Sequence, residues 1–243
     1  MTITIGAFLN AIGILLGGLF GLARSEPLAA RAQIIFRNAL GASTILFAFR
    51  LVWLNVNGTF ASCLKQLFIA MLAVVLGNVL GKLLGLQKIS NRVGRYATRL
   101  LSSAETNPSR KMADGFCACT ILFWAAPLGL LGAVADGLSG YFYLLAVKGV
   151  MDGLAMASFV KMFGWPAVMS AIPVFALLGF LTLACEIYAL PFLNSHQLVD
   201  SVNAAAGLAA CAVALVIFEL RKVELANFLP SLAVAPLLAW LLK

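Results

Sequence analysis

Tyr141-Phe142-Tyr143-Leu144-Leu145-Ala146-Val147-Lys148-Gly149-Val150-Met151-Asp152-Gly153-Leu154-Ala155-Met156-Ala157-Ser158-Phe159-Val160 is the stretch on which the reading of this chain turns. As a helix rising about 1.5 Å per residue it spans roughly the 30 Å hydrocarbon core of a bilayer. Inside it stand one base and one acid, Lys148 and Asp152, four residues apart and so on the same helix face. A charge near the bilayer centre costs about 2.5–3.5 kcal/mol on insertion scales, so such residues face a bundle interior or a wet cavity. The pair has two readings at this stage. It is a structural ion pair that locks helices together, or a site where Lys148 attracts an anion and Asp152 takes a proton or a cation.

The rest of the chain agrees with a membrane setting. Of 243 residues, 63% are hydrophobic and 11% charged, against roughly 45–50% apolar and 25% charged in soluble domains. The net charge of +8 invites a nucleic-acid reading. The basic residues, however, cluster just outside the apolar runs, as cytoplasmic flanks do, and no nucleic-acid partner is expected. Five cysteines and a single histidine, His196, give no metal-site spacing, and no metal or cofactor is expected. No nucleophile elbow, zinc-protease motif or phosphate loop is present, so the chain is not expected to be an enzyme.

Eight apolar runs follow one another, at 3–23, 38–56, 66–86, 115–135, 141–160, 167–190, 201–220 and 227–242. They predict one all-α polytopic domain over 1–243. The first run reads as a retained span rather than a signal peptide, having no basic segment before it. The last is interrupted by Pro230 and Pro236 and is expected to be short or broken. Twelve Lys and Arg fall in the odd-numbered connections, against Lys65 and Lys243 on the opposite side. The positive-inside rule then puts both termini outside the cytoplasm. Between the third and fourth runs, Ile89, Val93, Tyr96 and Leu100 alternate at helical spacing with Lys88, Arg92, Arg95 and Arg99. This predicts a basic amphipathic segment over 88–101 against anionic lipid, followed by a polar loop to Ser109.

Glycines recur every fourth residue at Gly13, Gly17 and Gly21, and again at Gly77, Gly81 and Gly85. Each set makes a groove for close helix packing, here expected to hold a homo-oligomer together. The first set belongs to an internal repeat: 14–21 is echoed at 74–81, and Thr44–Phe47 at Thr120–Phe123. Transporter folds often contain such repeats, with binding sites at their interface. Asn10, Asn78 and Asn227 are candidate hydrogen-bonders around Lys148 and Asp152. Arg50 and Glu186 form a candidate gate near the outer face. Pro127 and Pro173 predict kinks.

Several of these residues form an ordered set: Gly6-x3-Asn10-x2-Gly13-x3-Gly17-x3-Gly21, Lys148-x3-Asp152-Gly153, Ser170-Ala171-x-Pro173-Val174 and Ala226-Asn227-x2-Pro230. With it the chain resembles the YqgA-like prokaryotic membrane proteins along almost its whole length. The resemblance implies a bacterial inner-membrane protein of a kind commonly labelled a transporter. Two positions depart from the family pattern: Leu178-Gly179 replaces a Gln before Gly, and Ser201, next to Asp200, replaces an acid.

The reading that follows is passage of a small solute or ion, leaning to a small organic anion because of Lys148. The alternative is a non-transporting scaffold in which Lys148 and Asp152 are an assembly clamp. The predicted orientation is open to a direct check. Alkaline phosphatase fused after Gly140 or Asn194 should be active and fused after Ser103 inactive; the opposite pattern would overturn the orientation.

Overall fold

In the computed structural model, residues 4–24, 29–106 and 110–242 are described. Ile3, Lys243 and the loop positions Asn107, Pro108 and Ser109 lie outside them. The described residues are helical, with no strand among them. They form α1 Ile5–Ala23, α2 Ala30–Leu54, α3 Phe60–Leu83, α4 Leu86–Thr106, α5 Lys111–Trp124, α6 Pro127–Ser139 and α7 Tyr143–Phe163. A 3-10 turn at Trp165–Ser170 leads into α8, Ala171–Ala184. A π turn at Cys185–Ala189 joins α8 to α9, Leu190–Ser195. Then come α10 Val199–Ile217, a 3-10 turn Leu225–Phe228 and α11 Ser231–Leu241.

Helices outrun the apolar segments that predicted them, because backbone hydrogen bonding does not stop where hydrophobicity does. α2 starts at Ala30 rather than 38, and α3 at Phe60 rather than 66. Thr59 caps α3, its side-chain oxygen accepting from Ser62 N–H at 3.4 Å. Six helical segments are long and apolar enough to cross a membrane, the sixth predicted run doing so as Trp165–Ser195. The fourth run is two helices, α5 and α6, bent by 57° at the break before Pro127. Proline at the first helical position restarts the helix there. Pro173 produces no such break: it falls in the first turn of α8, where its missing N–H has no intrahelical partner to lose. The eighth run is a short piece, Leu225–Leu241. Outward faces are apolar, as Phe68, Met71, Val75 and Val79 on α3 illustrate, which is what lipid contact requires.

Glycine sets the two closest contacts. A Cβ added at Gly13 would fall 2.2 Å from the Gly149 carbonyl oxygen, at Gly17 2.0 Å from that of Gly153, and at Gly21 2.4 Å from that of Ala157. Both sequences advance together by four, so α1 and α7 run parallel, backbone on backbone. On α3 the register reverses: an added Cβ at Gly77 would fall 2.5 Å from Ser231 N and one at Gly81 2.2 Å from Asn227 O. The grooves expected to hold a second copy are therefore filled by the chain's own helices. Gly85 belongs to neither groove; its φ of +67° ends α3.

α2 lies antiparallel to α10, with Gly41 under the Phe218 ring and Gly207 against Ala48 and Val52. Asn203 Nδ2 donates to Asn55 Oδ1 at 3.0 Å across that contact. The two copies of the sequence repeat thus pack differently, α1 parallel to α7 and α3 antiparallel to the segment before and within α11. The amphipathic segment is helical, as α4. It places Ala97 and Leu101 inward, while Lys88, Arg92, Arg95 and Arg99 are exposed. Of the predicted apolar face, Ile89 and Tyr96 remain exposed and Val93 and Leu100 are half-buried, so that face is left largely open, as contact with lipid requires.

Gly17→Ala forces backbone apart and should lower stability by about 1–3 kcal/mol or more. Gly94, in mid-α4, has nothing within 4 Å of an added Cβ, so Gly94→Ala should instead stabilise by up to about 1 kcal/mol. Melting of detergent-solubilised protein, followed by size exclusion, reads both signs.

Candidate functional site

The polar centre lies where α1, α6 and α7 meet. Lys148 Nζ donates to Asp152 Oδ2 within α7, and Asn10 Nδ2 donates to the same oxygen from α1 at 2.9 Å. Lys148 is 1% exposed, Asp152 7% and Asn10 0%. The lysine stem crosses α6 at Gly129, whose added Cβ would come 2.8 Å from Lys148 Cε. Gly149 and Gly153 next to the pair let α1 approach closely enough for Asn10 to reach. Hydrogen-bonding capacity is not fully used, because Asn10 Oδ1 is buried with no partner among the described residues. Most buried polar atoms have one. Cavities open on the same helices, one lined by Met151 and Leu154 and one by Asp136, yet neither includes Lys148 or Asp152. In this conformation the pair is closed off.

Asp136 is the residue that the sequence reading missed. Hydropathy leaves it between the fourth and fifth apolar runs, at 136–140, but α6 continues through it to Ser139. Gly140, with φ +65°, supplies the left-handed cap. The carboxylate is 5% exposed and accepts the Gly6 N–H of α1 at 3.1 Å. Gly140, a helix-stop residue four positions on, was the signal that could have extended the helix. Gly6 precedes Asn10 by one turn of α1, about 6 Å of rise. Asp136 therefore stands about one turn nearer the N-terminus of α1 than the ion pair, along the same α1 face, with Leu145 packed at Gly6 and Gly132 between them. Asp136 and half-buried Glu186, carried on the π turn, line a cavity of about 240 Å³.

The other candidates go elsewhere. Arg50 does not pair with Glu186; its guanidinium lies over the Tyr143 ring, 4.7 Å from the centroid, an arrangement that holds a cation without a carboxylate. The expected gate pair is therefore not formed. Asn227 is 1% exposed but ties a corner of the fold. Its Oδ1 accepts from Gln87 N–H at 3.1 Å, and its Nδ2 donates to Glu224 at 2.7 Å. Asn78 lines a basic cavity beside Lys82, Arg221 and Lys222. Of the three asparagines, only Asn10 joins the centre. The glycines Gly13, Gly17, Gly21, Gly77 and Gly81 pack helices, as described above. Among the described residues no group of three or more His, Cys, Asp or Glu could hold a metal ion.

The protein-family model described as "Protein of unknown function (DUF554)" matches residues 5–240. The chain belongs to this family. It is 27% identical over 232 residues to "Uncharacterized protein YqgA" of Escherichia coli K12, covering 95% of this chain and 94% of that one. It is 22% identical over 237 residues to "Uncharacterized membrane protein YdfK" of Bacillus subtilis 168, covering 98% and 96%. No solved structure matches it. Full-length coverage of a relative called a membrane protein agrees with the apolar helices described above: this is a helical membrane protein of the DUF554 family.

Removing one partner of a buried ion pair strands the other, which costs about 3–5 kcal/mol; replacing both with apolar side chains is often neutral. Asp152→Ala should therefore destabilise the protein strongly, and Lys148→Met with Asp152→Leu should recover most of the loss. Thermal melts of the three proteins in one detergent check this.

Proposed function

We propose that this protein carries a proton or small cation across the bacterial inner membrane, with Asp152 as the binding carboxylate and Lys148 as its internal counter-ion. The observation that carries the reading is Asn10 Oδ1, a buried oxygen without a partner beside a buried carboxylate. An unpartnered oxygen there suits a cation or a protonated group. A negative vestibule of Asp136 and Glu186 about one turn nearer the N-terminus of α1 supports the same sign of charge. The lean to an organic anion rested on Lys148 alone. That charge is already engaged by Asp152, and two carboxylates guard the nearer mouth.

The coupling follows from electrostatics. Lys148 and Asp152 together are neutral, so the closed centre is tolerated in a low dielectric. A proton or cation arriving at Asp152 cancels its charge towards Lys148 and leaves the ammonium buried and uncompensated. That state is relieved by moving α7 relative to α1 or α6, which opens the site. Buried ionisable groups in membrane helices serve in proton relays and ion pathways by the same logic. The clamp reading has its own supporting observation, the closure of the pair by glycine-tight packing. In that reading Lys148 and Asp152 fix the register of α1 and α7 and carry nothing.

The double variant Lys148→Met with Asp152→Leu separates the two. In vesicles loaded with a pH-reporting dye under an imposed potential, reconstituted wild type should leak protons or exchange them for sodium several-fold faster than protein-free vesicles. The folded double variant should fall to background. Equal flux from wild type and variant, or background flux from wild type with either ion, would overturn the carrier reading.

A further inference from the structure

A second polar site lies at the opposite end of the bundle from Asp136. α3 ends at Leu83, and α10 ends at Ile217 on the same side. Between them opens a cavity of about 510 Å³. Lys82 reaches it from the last turn of α3, Arg221 and Lys222 from the segment after α10, and Asn78 from one turn deeper on α3. Leu215 and Phe228 supply apolar wall. We infer that this cavity is a binding site for the phosphate headgroup of an anionic phospholipid, with the acyl chains lying along the outer face of α3.

Charge is the first argument. Among the described residues, Lys82, Arg221 and Lys222 form no ion pair. The one carboxylate on the cavity, Glu224, is held by Asn227 Nδ2 at 2.7 Å. Three cations against one engaged carboxylate leave the cavity strongly positive. Cations near helix C-termini do offset the helix dipole, which explains one or two of them; convergence of three from two segments on one cavity goes beyond that. Depth is the second. Lys82 stands at the end of an apolar helix whose exposed side chains, Val75, Val79 and Leu83 among them, face lipid. Its ammonium therefore lies at the level of phosphates, where each added basic residue contributes about 1 kcal/mol of attraction to an anionic surface. Unsatisfied polarity is the third. Asn78 Oδ1 is buried without a partner among the described residues, one turn below the cations. Its amide sits at the level of the glycerol and ester groups, able to donate to an ester carbonyl or accept from a hydroxyl. A soluble phosphate would meet the cations but leave the apolar wall and Asn78 unused.

The site is separate from the exposed basic face of α4, and it does not depend on the carrier reading. Native mass spectrometry of the full-length protein, titrated with phosphatidylglycerol or phosphatidylcholine in mild detergent, tests it. Wild type should retain phosphatidylglycerol about thirtyfold more tightly, as expected for a net two positive charges at about 1 kcal/mol each. Lys82→Gln with Arg221→Gln and Lys222→Gln should abolish the preference. Removing as much charge elsewhere, by Arg31→Gln with Lys65→Gln and Lys161→Gln, should preserve it, as should the charge-keeping Lys82→Arg with Lys222→Arg. Preference retained in the cavity triple variant, or lost equally in the distant one, would overturn the site. Displacement of the lipid by millimolar inorganic phosphate would overturn the lipid assignment in favour of a free anion.

Discussion

The contact between the α1 and α7 backbones governs what else the fold contains. Three successive turns of α1 lie against carbonyl oxygens of α7 at distances that admit no Cβ. In lipid there is little hydrophobic gain from joining two apolar helices, so close packing and interhelical hydrogen bonds must hold them. That closeness brings Asn10 within 2.9 Å of Asp152, and it excludes solvent that would otherwise weaken the Lys148 pair. The ion pair is thus a consequence of the glycines as much as a feature of α7. It also explains why the charged motif is Lys148-Gly149-x2-Asp152-Gly153 rather than a bare base and acid.

Much of the architecture was legible from the chain. Apolar length alone located the six helical segments long enough to cross a membrane, because the bilayer sets one minimum length for all of them. The break before Pro127 and the shortness of the last segment followed from proline. Packing partners were not legible. The Gly-x3-Gly grooves declare that something approaches, and they are silent on whether it is another helix of the same chain or a second copy. The 14–21 and 74–81 stretches share their letters but meet different neighbours in opposite directions, because what each groove receives is set by α7 and by the Asn227–Ser231 region.

The candidate site was half legible for the same reason. Lys148 and Asp152 share a helix, so spacing sufficed. Asn10 was one of three asparagines proposed on equal terms, and only tertiary structure selects it over Asn78 and Asn227. Asp136 was lost to a boundary error of four residues at the end of α6, where hydropathy falls before the helix does. Arg50 and Glu186 were paired on opposite charge alone, whereas Arg50 found the face of Tyr143. Complementary sign is weak evidence of contact when aromatic rings compete for the cation.

The segment formed by the Leu225–Phe228 turn and α11 runs only from Leu225 to Leu241, about 25 Å if fully helical, against roughly 30 Å of hydrocarbon. Its neighbour α3 is 24 residues long, but Lys65 and Gln66 stand near its start and Lys82 in its last turn, so the stretch between them, 67–81, rises only about 22 Å. Both rods of this edge are therefore shorter than the hydrocarbon beside them. A short apolar rod is accommodated by local thinning of the bilayer or by long side chains reaching out to the headgroups, and Lys65 and Lys82 supply such side chains at the two ends of α3.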